Sequence, residues 1–307
     1  MIRPDITAYD PGAEVAKHEA ELEEIMPLYH YTSAAGLHGI IASRSLWTSH
    51  YRFLNDTSEF QHGWKIVIEA LDRRGAEIRE LSSLAWETIA LFRQHSDEIH
   101  GFVGSLTSKG DLLSQWRGYN RGQGFSIGFN ADWLLKNAAA QGFDITPVLY
   151  DPESQRAAAD GAVTLLIDRL LEGTDEPEGA RAQVKTWWSH ALKTALVLKN
   201  GHFQEERERR LVWVGVSWPA GLKTRFSPAG LVPYRACQFN KVVINNAATH
   251  PNNCGIEEII IGPALAHQQT CAVDALLASH SMRLTIKRSA IPYLARPIRE
   301  SAAFGPD

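Results

Sequence analysis

The sequence predicts an α+β fold, a mixed and mainly antiparallel sheet carrying a large helical insertion. Short β-rich runs come first: LYHYTS (28–33), GFVGSLTS (101–108) and GFSIGF (124–129), then RRLVWVGVSW (209–218), VVIN (242–245), IEEIIIGP (256–263) and MRLTIKRS (282–289). Between the two groups, about residues 131–200 are mostly of helical character. Hydrophobic residues at 44% and charged residues at 21% of 307 are ordinary globular values, so the chain can bury a core that offsets its conformational entropy.

In chain order, residues 1–26 are polar, with helix formers from Ala13 to Ile25, and predict a leader helix outside the core. One elaborated domain is expected over 27–300. LYHYTS reads as a strand, and Ser33 then caps a helix in which Leu37, Ile40 and Ile41 keep helical spacing. Trp64, Val67, Ile68 and Leu71, followed by Leu81, Leu84, Ile89 and Phe92, predict two helices over Phe60–His95 broken near Gly75. A helical turn or short helix over 111–119 separates the strands at 101–108 and 124–129. The acidic, Pro- and Gly-containing stretch 172–179 is a loop within the helical insertion, and a last helix spans Gln268–Ser279.

Composition narrows the function classes. A formal net charge of −4 and a pI near 6.3 give no broad basic field for phosphate backbones. The densest basic cluster, Arg207, Arg209 and Arg210, is interleaved with Glu205, Glu206 and Glu208. Cys237, Cys254 and Cys271 form no CxxC pair, and no apolar run reaches roughly 18 residues, so a cytoplasmic protein that makes no use of a membrane is expected. No GxSxG elbow, HExxH, Walker-type loop or dinucleotide fingerprint occurs, and metal-ligand spacing is absent.

Four short segments hold the polar and aromatic residues that could carry chemistry. In HYT, His30 at a strand end can bond a ribose hydroxyl while Tyr31 packs on a flat heterocycle beside Thr32; a core histidine bonded to backbone is the competing reading. LNDTSEF offers Asn55, Asp56 and, on a first helical turn, the carboxylate of Glu59, although a plain capped turn also explains it. In SQWRGYNRGQG, Gln115 and Tyr119 share a helix face with Trp116 at its edge, a surface suited to a base or nicotinamide ring. For Trp116 alone, core packing is the alternative. In HFQEERERRLVWV, strand alternation from about Glu206 puts Glu206, Glu208 and Arg210 on one face. A solvated charged face is the usual explanation of such a run, but the strand continues into apolar LVWVGV, which directs part of that face to a cleft.

Taken in order, HYT, LNDxxE, QWRxY with GFSIGF, FxxExExR and EEIIIGP…SAIPY resemble the bacterial family called domain of unknown function two-nine-seven-one, over about residues 28–295. That family in turn is similar to the ADP-ribosyltransferase superfamily of the diphtheria-toxin and poly-ADP-ribose-polymerase type. The resemblance implies a split sheet, NAD as substrate, His30 with Thr32 on the adenosine-side ribose, and Tyr119 stacked on nicotinamide with Tyr31 as its competitor. It implies Glu206 or Glu208 as the catalytic carboxylate, with Glu258 a rival, and Asn55, Glu59, Trp116 and Arg210 around the nucleotide. The implied activity is ADP-ribosyl transfer or NAD hydrolysis by a toxin or antiphage effector, on a protein, nucleic acid or water. Two other classes fit the residues: a metal-dependent nuclease or hydrolase using Asp56, Glu59, Glu206 and Glu208, and a non-catalytic nucleotide-binding module.

Overall fold

The computed structural model describes residues 27–54, 57–74, 90, 99–118, 122–171, 177–227, 230–239 and 254–292. The expected leader helix, the second helix of the 60–95 segment, the strand VVIN and the residues Asn55, Asp56 and Tyr119 lie outside the described residues.

The first elements are β1 (Leu28–Thr32), α1 (Ala34–Ser43), β2 (Ser45–His50), a 3-10 turn Tyr51–Phe53, α2 (Thr57–Arg73), β3 (His100–Thr107), α3 (Leu113–Gly118) and β4 (Phe125–Phe129). The helical part holds α4 (Ala131–Ala139), β5 (Asp144–Pro147), α5 (Pro152–Leu171) and α6 (Pro177–Ala195). A 3-10 turn Gly201–Glu206 then leads into β6 (Glu208–Gly215), β7 (Lys223–Ser227), β8 (Gly230–Gln238), β9 (Ile256–Ile261), α7 (Gln269–Ser279) and β10 (Thr285–Arg288). The fold is α+β as the sequence predicts, and among the described strand pairs only β9 with β10 is parallel.

The ten strands form one sheet in the order β10-β9-β4-β1-β3-β2-β8-β7, with β6 on the free edge of β3 and β5 beyond it. β6 pairs with β3 along all of His100–Thr107, so β1 and β2 must share the other edge of β3. There β1 pairs only at Thr107 and β2 only at Phe102 and Val103. The sheet therefore splits beside β3, and β3 residues between the two contacts face an opening.

Helices cover both faces because neighbouring strand residues point to opposite sides. On β6, Leu211 packs with α1, α4 and α7 residues such as Ile41, Leu134 and Val273, while Val212 packs with α2, α5 and α6 residues such as Leu71, Val163 and Trp187. Each such fully buried side chain contributes about 1.5–3 kcal/mol relative to exposure. Gly63 allows the close approach within the second layer, since a Cβ there would lie 2.1 Å from the Ala195 carbonyl oxygen.

The insertion is mostly helical, as expected, but β5 interrupts it and pairs with β6. β6 starts at Glu208 rather than Glu206, because Arg207 adopts a left-handed conformation (φ 44°) that ends the preceding turn.

Candidate active site

Where the sheet splits, a cleft of about 760 Å³ opens. Its lining brings together His30, Tyr31 and Thr32 of β1, Glu59 of α2, Gln115 of α3, and Glu206, Glu208 and Arg210 around the start of β6. A volume near this lies in the usual range of small-molecule sites, roughly 300–1,000 Å³.

β1 presents its residues alternately. Tyr31 is buried on the face of Trp116 and Ile260, where its ring meets Trp116 edge-on at 4.7 Å. Its hydroxyl donates to the Lys109 carbonyl and accepts from the Leu112 amide, both at 2.9 Å. His30 points the other way and uses its Nδ1 on the Ser105 carbonyl at 2.9 Å, one of the β3 groups left open by the split. A carbonyl can only accept, so Nδ1 carries the proton and Nε2 is left as the ring's free polar atom. Withdrawal from water lowers the His30 pKa below the usual imidazole value, opposed by the Ser105 bond, which keeps Nε2 an acceptor near neutrality.

Thr32 is buried beside the start of α1, which Ser33 caps by accepting the Gly36 amide at 3.1 Å. A Cβ at Gly36 would stand 1.9 Å from Thr32 Oγ1, so only glycine lets the helix come this near the strand.

The acidic side is an ion network centred on Lys199, which the sequence did not single out. Its Nζ lies 3.0 Å from Glu59 Oε1, 2.8 Å from Glu206 Oε2 and 3.0 Å from Glu208 Oε2. Its backbone is fixed by donating to the Leu149 carbonyl at 3.1 Å and accepting the Gln155 side chain at 2.7 Å. Arg210 completes the network, with Nη2 2.6 Å from Glu59 Oε2, Nε 2.9 Å from Glu208 Oε1, and Nη1 on the Leu196 carbonyl at 2.5 Å. Thr107 donates to the Glu206 carbonyl at 2.8 Å, which seats that residue against β3.

Three carboxylates against two cations leave one net negative charge at the cleft wall. Burial pushes the Glu208 carboxyl up, but Arg210, Lys199 and the Ser105 hydroxyl outweigh it and hold it at about 2. Burial likewise opposes charge on Lys199 and Arg210, and their carboxylate partners win, raising both above their ordinary values. Glu206 is the most open of the three, its side chain 25% exposed against 5% for Glu208.

Several sequence expectations need correction at this level. Trp116 is fully buried, donates to Asp111 at 2.6 Å and does not line the cleft, so it supports Tyr31 instead of stacking on a ligand. Tyr31, 3% exposed, likewise offers little ring surface. Arg210, expected around the nucleotide, lines the cleft but commits its guanidinium to Glu59, Glu208 and Leu196, which leaves it a positioning role. Glu258, the rival acid, sits on β9 and accepts from Tyr29 at 2.9 Å and Lys287 at 2.5 Å, outside the cleft lining. Among the described residues no group of acidic, histidine or cysteine side chains is arranged to hold a metal ion, and Lys199 lies between the carboxylates the metal-dependent reading would use.

Aromatic residues mark the mouth. Phe53 and Phe226, 45% and 90% exposed, both line the cleft, and Arg225 of β7 reaches across to the Ser49 hydroxyl at 3.0 Å.

Residues 115–211 match the family model described as a protein of unknown function, DUF2971. The matched span takes in Lys199, Glu206, Glu208 and Arg210 but stops short of His30 and Glu59, and is narrower than the 28–295 over which the motif order runs. No curated protein and no solved structure matches the chain. No helix among the described residues is long and apolar enough to cross a membrane.

Proposed function

We propose that this chain is an NAD-consuming ADP-ribosyltransferase-like enzyme, an effector that breaks the nicotinamide–ribose bond and passes ADP-ribose to a protein, a nucleic acid or water. One observation carries the reading: the ring of His30, with Nε2 unused, and the carboxylates of Glu206 and Glu208 line the same cleft at the split of the sheet. The split accords with the sheet that the family resemblance implies.

The chemistry suits the charges. As the C–N bond breaks, its electron pair leaves with the nicotinamide nitrogen, which becomes neutral, and positive charge develops on the ribose as an oxocarbenium-like centre. The acceptor then supplies an electron pair to that carbon and loses a proton. A cleft wall with one net negative charge, already oriented by Lys199 and Arg210, stabilises this growing charge more than the ground state. His30 Nε2, neutral and accepting, takes a hydroxyl of the ribose and fixes the dinucleotide's register.

The test is to incubate the protein with NAD labelled on the adenine, with EDTA and a mixed pool of protein and nucleic-acid acceptors. Labelled ADP-ribose, free or attached to an acceptor, together with released nicotinamide, supports the reading. NAD left intact in every mixture overturns it.

A further inference from the structure

The position of Lys199 relative to its three carboxylates carries a second inference, which rests on the NAD-cleaving reading for its kinetic arm only. Its side chain is 5% exposed, and its ammonium lies within 3.0 Å of Glu59, Glu206 and Glu208 at once. These acids come from three separate places in the chain: the first turn of α2, the 3-10 turn and the start of β6. Without a cation between them, three carboxylates this close would repel one another in a site poor in water. In many enzymes a divalent metal ion holds such acids together.

We propose that Lys199 is the resident cation of this site, a positioning residue that does for Glu59, Glu206 and Glu208 what a bound metal ion would otherwise do. The chain fixes that cation covalently. Lys199 is pinned by the Leu149 and Gln155 contacts to its backbone, and the ring of Phe203 lies 4.9 Å from its ammonium. With Lys199 in place no group of acidic side chains among the described residues is arranged to hold a metal ion; removing its side chain leaves three carboxylates and the Arg210 guanidinium, two net negative charges that a divalent ion would balance. Calcium binds carboxylate oxygens at about 2.3–2.6 Å, and the acids stand only slightly farther than this from the ammonium.

The experiment uses purified wild type, Lys199→Ala and Lys199→Arg, each checked for folding by circular dichroism. Calcium binding is read by calorimetric titration, and nicotinamide release by steady-state kinetics in EDTA. Calcium should bind Lys199→Ala and neither of the other proteins. In EDTA, Lys199→Ala should lose about 100-fold in kcat with KM within about threefold, because the carboxylates act on charge that develops in the transition state, while Lys199→Arg keeps most of the turnover. Calcium bound by none of the three, or by all of them, overturns the proposal, as does a folded Lys199→Ala whose kcat stays within about threefold of wild type. Should the wild type release no nicotinamide, the NAD reading has failed, and the calcium titration alone decides the role of Lys199. If Lys199→Ala does not fold, Lys199→Gln, which keeps length without charge, replaces it.

Discussion

Lys199 Nζ and Glu208 Oε2 lie 3.0 Å apart, both side chains 5% exposed, at the point where the segment after α6 passes the start of β6. A buried ion pair of this kind is costly to form and costlier to break from one side. Glu208→Ala leaves Lys199 and Arg210 short of their shared partner and is expected to cost about 3–5 kcal/mol. Glu206→Ala, at a more open position, should cost less than about 1 kcal/mol. Urea unfolding of the two variants checks the contrast.

The same pair sets an acid limit. Because the folded-state pKa of Glu208 is depressed to about 2, its contribution is fully present above the ordinary carboxylate pKa and is lost as pH falls towards 2. Wild-type stability should drop between about pH 5 and 2, and Glu208→Gln should show a shallower drop in that window.

His50 gives a separate pH signature. It is buried 3.3 Å from His100, and burial, His100 and Arg52 lower its pKa to about 4. Its contribution is present above the ordinary histidine pKa and is lost as pH falls to about 4, since the unfolded chain takes the proton first. Stability measured from pH 7 to 4 should decline, by no more than about 3 kcal/mol from this group, and His50→Gln should flatten the decline.

The approach of α1 to β1 predicts a compensating pair. Gly36→Ala drives a methyl into Thr32 Oγ1 and should destabilise by about 1–3 kcal/mol. Adding Thr32→Ala removes the obstructing oxygen and should recover most of that loss in thermal unfolding.

Trp116→Phe should lower stability by about 1–3 kcal/mol without changing the KM for NAD, because the indole packs on Tyr31 and bonds Asp111 away from the cleft. A raised KM in a fully folded variant would return Trp116 to the ligand surface.

What the sequence made legible follows from local chemistry. The β1–Ser33–α1 start was readable because an apolar strand, a capping serine and helical spacing at Leu37, Ile40 and Ile41 are adjacent in the chain. Glu206, Glu208 and Arg210 stood out because alternating charges run into an apolar strand. Lys199 did not: a lone lysine at the end of a helical stretch carries no local mark, and one of its partners lies 140 positions earlier. β2, β5, β7 and β8 carry no clear strand signal because SLWTSH, DITP, KTRFS and GLVPYRACQ mix polar with apolar residues, and DITP and GLVPYRACQ also hold a proline. Their strand character comes from the neighbours they pair with. Trp116 was misplaced because helical spacing gives a face but not what covers it.

The most direct measurement is nicotinamide release from NAD in EDTA by wild type, Glu206→Gln and Glu208→Gln. Release by the wild type that is lost in at least one folded variant is the predicted result. No release by the wild type, or release unchanged in both variants, would contradict the assignment of the cleft carboxylates to breaking the nicotinamide–ribose bond.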